Sequence, residues 1–332
     1  MDCKRPHQYR ALKQFLTIVC ILAMTSCTWV KDDTDDCPYG FWLRLHYTYN
    51  ILDVDAASKY VQDAYVYVYD ADGNYVKRIY ATQNDLMVND YRVRVEGLPE
   101  DDYQFVVWSG IGNNQYAVAG DTQMMDDFRL SLVGTETRYS GKLPALYYGY
   151  QKTVHYDDSY ALYDVELIKN TNQLSCLVVS VSDQEVLDAN DYNMKVVVAN
   201  SAMDAYNRLI SKSETIYEPF EQGYVTIDDP DYGELSGIKF NIMTLRLMSN
   251  SDSRLILEKK STGQTLFNIS FPEYIGMIGS LYTAIGRLLT VQEYLDRQDF
   301  YTIVFFLSGD LDQLIQLQVN SWRLRAYNHL KL

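Results

Sequence analysis

Ala64-Tyr65-Val66-Tyr67-Val68-Tyr69-Asp70-Ala71-Asp72-Gly73-Asn74-Tyr75-Val76 is the stretch on which the fold turns. Its first six positions alternate small or β-branched residues with tyrosines, the period of two that a strand with unlike faces requires. Asp72-Gly73 then marks a hairpin reversal, because glycine readily adopts the positive φ of such a turn. The same residues imitate the opening of a calcium loop. There, however, glycine comes two positions early, and Ala81 stands where a bidentate Glu is needed. The hairpin is the better reading.

The pattern extends in both directions. Upstream, Phe41, Leu43, Leu45, Tyr47 and Tyr49 share one face of a strand, and Trp42, Arg44, His46 and Thr48 the other. Downstream, strands are expected at 91–95, 103–108, 128–132 and 163–169. A second series opens with the apolar run 174–181, expected to be buried on both faces, and continues at 194–199, 238–247, 254–259, 265–269, 301–307 and 314–319. Only 280–296 has helical character, weakened by Gly276, Gly279 and Gly286. Many short strands with turns between them predict an all-β chain of antiparallel sandwiches. The two series open alike, which predicts two related domains, 38–169 and 170–332.

Composition agrees with a globular chain. Of 332 residues, 47% are apolar and 22% charged, and tyrosine reaches 30 copies. Tyr suits half-buried sheets, where the ring packs and the hydroxyl stays wet.

The N-terminus predicts export. Lys4, Arg5, Arg10 and Lys13 precede the apolar run 15–24, too short to span a bilayer, and small residues Thr25-Ser26 lead to Cys27. That order resembles a bacterial lipobox, so 1–26 is expected to be a lipoprotein signal peptide and Cys27 the acylated residue. Residues 27–37 read as an acidic tether. Within it, Lys31, Asp32, Asp33, Asp35 and Asp36 resemble the export signals that send Bacteroidales lipoproteins to the outer face of the outer membrane. Removing 1–26 takes four basic residues and one acidic one, leaving 25 basic against 43 acidic, a formal charge of −18. Such a charge argues against nucleic acid and against an electrostatic grip on anionic lipid, so acyl chains alone would hold the membrane. Of the five cysteines, Cys3 and Cys20 leave with the signal and Cys27 is acylated. Cys37 and Cys176 remain, and a disulfide between them is open in an oxidising compartment.

Chemistry is not legible. His46, His155 and His329 are not spaced as metal ligands, and no phosphate loop, paired CxxC or nucleophile elbow is present. The expectation is a non-enzymatic protein without cofactor. Surface tyrosines and tryptophans could stack on sugars, which makes a glycan-binding lipoprotein the rival.

Several stretches together point to a family. These are the lipobox and tether followed by Cys37-Pro38-Tyr39-Gly40, the hairpin above, Gly97-Leu98-Pro99, and Leu146-Tyr147-Tyr148-Gly149. The most specific is Gln292-Glu293-Tyr294-Leu295-Asp296-Arg297-Gln298-Asp299-Phe300-Tyr301, running into an apolar strand and Val319-Asn320-Ser321-Trp322. The mature chain thus resembles the FimB-like fimbrial anchor family of Bacteroidales type V fimbriae. The resemblance implies two transthyretin-like β-sandwich domains in tandem, outer-membrane attachment of a fimbrium at the cell surface, and termination of its polymerisation. It implies fimbrial shaft subunits as partners, joined by β-strand complementation. The C-terminal strands, with Tyr301, Val304, Leu314, Leu317, Val319 and Trp322, would be the part offered. Shaft and tip subunits share the fold, so those roles stay open as alternatives.

Overall fold

The computed structural model describes residues 40–134, 138–181, 187–279, 286, 288–308, 314–320 and 322–325. The strands of the first half are β1 (Phe41–His46), β2 (Ala64–Asp70), β3 (Tyr75–Ala81), β4 (Arg92–Val95) and β5 (Asp101–Ser109), then β6 (Tyr116–Ala119), β7 (Arg129–Leu132), β8 (Arg138–Tyr139), β9 (Tyr147–Tyr156) and β10 (Ala161–Lys169). Those of the second half begin with β11 (Thr171–Ser180), β12 (Tyr192–Val198), β13 (Ala202–Asp204), β14 (Thr215–Tyr217) and β15 (Glu221–Asp229). They continue with β16 (Gly233–Leu245), β17 (Arg254–Lys259), β18 (Gln264–Ser270), β19 (Phe300–Leu307), β20 (Leu314–Val319) and β21 (Trp322–Arg325). Short helices α1 (Ala57–Tyr60), α2 (Gln83–Val88), α3 (Phe271–Gly279) and α4 (Val291–Arg297) complete the set.

β2 and β3 form the expected hairpin, with Gly73 at φ 85°. The Asp70 carboxylate accepts from the Asn74 backbone N–H at 2.8 Å and from its side-chain amide at 2.9 Å, which fixes the reversal. The hairpin borders a seven-stranded sheet of order β3-β2-β5-β9-β10-β1-β4. A six-stranded sheet runs β15-β16-β11-β19-β20-β21 and a five-stranded one β18-β17-β12-β14-β8. The small sheet β13-β7-β6 draws strands from both halves.

Side chains follow the predicted period. Phe41, Leu43, Leu45 and Tyr47 are buried in one core with Val66, Phe105, Val165 and Leu167. The opposite face of β2 and β5, Tyr67, Tyr69 and Trp108, enters a larger core that also holds Leu174, Cys176, Val178, Phe240 and Phe305. β11 is buried on both faces as expected, since Leu177 and Val179 pack into a third cluster with Val304 and Phe306. Residues Phe41–Leu332 form one unit, and the larger core is shared by residues on both sides of Asn170.

The pairing is not wholly antiparallel. β1 runs parallel to β10, β11 parallel to β19, and β14 parallel to β8. A period of two is the same in either direction, so only the long crossover connections distinguish these pairs. β9 and β15 also lie outside the expected strands. β9 approaches β10 so closely that a Cβ on Gly149 would meet Val165 Cγ1 at 2.6 Å. For the expected helix at 280–296, the structure has the Thr290-capped α4 at its end, and 280–285 lie outside the described residues. Cys176 is wholly buried and free, and Cys37 lies outside the described residues.

Candidate functional site

The first strand is held by a neighbour on each side. Its backbone pairs with β10 through Phe41↔Ala161 to His46↔Glu166 and with β4 through Phe41↔Val95 to Arg44↔Arg92. Arg44 Nε donates to Asp164 at 2.7 Å, and this contact raises the Arg44 pKa and lowers that of Asp164. The guanidiniums of Arg92 and Arg94 lie over the Trp42 ring at 5.7 and 5.9 Å, and Trp42 is buried on the face it shares with Arg44 and His46.

The chain leaving β1 is pinned as well. Glu166 accepts from the Thr48 N–H at 2.7 Å, the Thr48 hydroxyl at 2.6 Å and the Tyr49 N–H at 2.9 Å. Asn50 is buried and its side-chain amide donates to Tyr47 O and Val54 O, both at 2.7 Å, closing the turn. From α4, Arg297 reaches across to the same turn. Its Nη1 donates to Asn50 O at 3.1 Å and Asp53 at 3.0 Å, its Nε to Glu293 at 3.0 Å, and its guanidinium lies 4.3 Å over the Tyr49 ring. Arg297 is 7% exposed, and its contacts with the Asn50 carbonyl and Glu293 are buried, while Asp53 stays half exposed; together they tie α4 to the turn after β1. Its neighbour Asp296 forms a two-bond pair with Arg246 at 2.8 and 2.9 Å and also accepts from Gln292 at 3.0 Å. Lys169, at the end of β10, pairs with Asp299.

His46 sits between two carboxylates, Asp55 at 2.7 Å on Nδ1 and Asp164 at 3.0 Å on Nε2. Burial draws its pKa down, but both carboxylates outweigh this and raise it above its ordinary value of about 6.5. A raised histidine stabilises the fold fully below that ordinary value, and the contribution is lost as pH rises through the folded-state pKa. His155, raised chiefly by Asp102, acts in the same sense. The difference between proteins is therefore diagnostic. Urea unfolding from pH 6 upward should show wild type losing stability more steeply than His46→Gln, and equal slopes would contradict the assignment.

The expected partner-binding residues divide by position. Tyr301, Leu317 and Val319 face the larger core and Val304 the third cluster, all buried, while Leu314 is half-buried against the larger core. Trp322 pairs with Val319 through the backbone of β21. The side chains of Tyr301, Val304, Leu314, Leu317 and Val319 pack in these cores, and the edge of β21 is unpaired among the described residues. Cys27, Lys31, Asp32, Asp33, Asp35 and Asp36 lie outside the described residues. Sequence reasoning missed Glu166, Asn50 and the role of Arg297, although Arg297 stands inside the stretch most specific to the resemblance. Among the described residues no cluster of His, Cys, Asp or Glu is arranged to hold a metal, and no helix is long and apolar enough to cross a membrane.

Comparison with known proteins follows the same lines. The family model of the fimbrillin-A associated anchor proteins Mfa1 and Mfa2 matches residues 34–328. A candidate adhesin from Bacteroides thetaiotaomicron is 27% identical, with a TM-score of 0.77 over 87% of this chain and 98% of that one. A candidate polysaccharide-binding protein from the same organism is also 27% identical, with a TM-score of 0.74 over 87% and 99%. The fimbrial anchor protein Mfa2 of Porphyromonas gingivalis is 16% identical, with a TM-score of 0.64 over 88% and 100%, a likeness of fold. No curated protein matches the chain.

Proposed function

This chain belongs to the family of fimbrillin-A associated anchor proteins, which are structural and not enzymatic, and on that premise we propose that it fastens the base of a fimbrium to the outer membrane. In this reading Cys27 carries the acyl chains, Lys31, Asp32, Asp33, Asp35 and Asp36 direct export to the cell surface, and residues 38–169 and 170–332 are tandem sandwich domains. The protein terminates polymerisation because its own groove stays filled by β1.

The observation that carries the reading is the enclosure of β1. No Lys or Arg lies between Lys31 and Arg44, and Arg44 sits mid-strand, paired with both Asp164 and Arg92. A trypsin-like protease needs an extended substrate segment, so cleavage after Arg44 requires β1 to come away from its two sheet neighbours, β10 and β4, and the Arg297 clamp to open. The shaft would attach at the other end of the chain, adding a strand along β21 so that backbone hydrogen bonds supply the affinity. Truncation before Leu314 is expected to release shaft subunits from the cell while acylation at Cys27 persists. Retention of a full fimbrium on such cells would contradict attachment at β19 to β21.

A second reading, surface glycan binding, draws on the 27% identical candidate polysaccharide-binding protein and on Tyr65 and Tyr80, whose rings lie 4.6 Å apart with Tyr80 exposed. A glycan-array signal without any co-purifying fimbrial subunit would favour it.

A further inference from the structure

His46, the last residue of β1, meets a carboxylate at each ring nitrogen, Asp55 at Nδ1 and Asp164 at Nε2. Carboxylates accept and do not donate, so both contacts are hydrogen bonds only while the ring carries both protons. A neutral imidazole donates to one carboxylate and turns a lone pair towards the other. One of the two ties is then lost.

The carboxylates belong to different elements, and the surrounding contacts decide which tie goes. Asp55, in the turn before α1, also accepts from the Tyr47 and Ala57 N–H groups, both at 3.0 Å. Asp164, on β10, is shared with Arg44 Nε and is 59% exposed. Asp55 is therefore fixed by the backbone, whereas Asp164 can turn away and keep Arg44. The other charges around the ring are engaged elsewhere. Glu166, opposite His46 in register, holds Thr48 and Tyr49, Asp90 and Tyr160 act on Arg44, and Arg92 of β4 lies over Trp42.

The same end of β1 rests on strained backbone. Leu45 N–H donates to Tyr91 O at 2.9 Å, and Asp90 and Tyr91 are left-handed, at φ 53° and 56°. A bulky residue such as tyrosine holds that conformation only under constraint from its surroundings, so this bond is a weak point of the strand.

We propose that His46 is a pH-sensitive latch on β1. Protonated, it ties the strand to β10 and to the turn before α1 at once. Deprotonated, it gives up Asp164, and the end of β1 around Arg44 opens locally while the rest of the fold stays closed. Burial lowers the His46 pKa, but Asp55 and Asp164 raise it above the ordinary value of about 6.5. The latch is thus closed at and below that pH and opens as pH rises through the raised value. Its consequence for assembly, a scissile bond after Arg44 that is hidden in acid and more accessible in alkali, rests on the reading of β1 as the strand that fills the groove.

The test is hydrogen–deuterium exchange of the mature chain in detergent, expressed as protection factors from about pH 6 to about pH 9, either side of the ordinary histidine value. Protection over 43–49 should fall about two- to fivefold more than protection over 174–180 in β11, the worth of one partly exposed ion pair. His46→Gln and Asp164→Asn should each remove this excess, and His155→Gln should leave it intact. An equal fall in both segments would make the effect global, and an excess that survives His46→Gln would place the switch elsewhere; either result overturns the proposal. A mature N-terminus at Leu45 would overturn the filled groove and leave the latch standing.

Discussion

Asp296→Ala is expected to destabilise the chain by about 3–5 kcal/mol, because it leaves the Arg246 guanidinium buried without its counter-charge. The pair is nearly dry, with the two side chains 11% and 5% exposed, and Arg246 also donates to Asn207 O at 3.0 Å. Asn207 in turn bonds Asn170 amide to amide at 2.7 and 3.1 Å, at the junction of β10 and β11. The loss would therefore loosen α4, and with it the Arg297 contact on the turn after β1. Denaturant unfolding measures it. Removing both charges, as Arg246→Met with Asp296→Leu, should recover much of the loss, since a well-packed apolar pair of similar volume is often no worse than a buried ion pair. A single-variant loss below about 1 kcal/mol would place the pair among ordinary surface contacts.

Cys27→Ala is expected to abolish membrane association outright. Each buried acyl CH₂ contributes about 0.8 kcal/mol, so two or three chains hold a protein durably and none holds it at all. Electrostatics would not replace them, since the formal charge of −18 over residues 27–332 repels anionic headgroups. Phase partitioning in a cloud-point detergent should move the variant wholly to the aqueous phase, and fimbriae should appear in the medium. Continued partitioning with the outer membrane would exclude Cys27 as the anchor.

What could be read beforehand divides along physical lines. Strands with an alternating or apolar pattern were legible, and those expected at 254–259 and 314–319 coincide with β17 and β20. β15 was not, because Glu221–Asp229 is an edge strand rich in polar residues and only its pairing with β16 makes it one. β9 was hidden by Gln151, Lys152 and Thr153 in its middle and by Gly149, which is there for close approach and not for strand propensity. The parallel neighbours of β1 and β11 leave no mark on a local period. At the site, Arg297 belonged to a conspicuous stretch, yet its meaning depends on Asp53, 244 residues away. A contact of that separation is settled by topology and cannot be seen in spacing.

The enclosure of β1 is the centre of this account, and the mature N-terminus tests it most directly. Mass spectrometry of the protein taken from assembled fimbriae is expected to find Cys27, acylated, as the first residue, with Phe41–His46 still in place between β10 and β4. A first residue at Leu45, left by cleavage after Arg44, would instead make this a shaft or tip subunit whose groove opens to a neighbour.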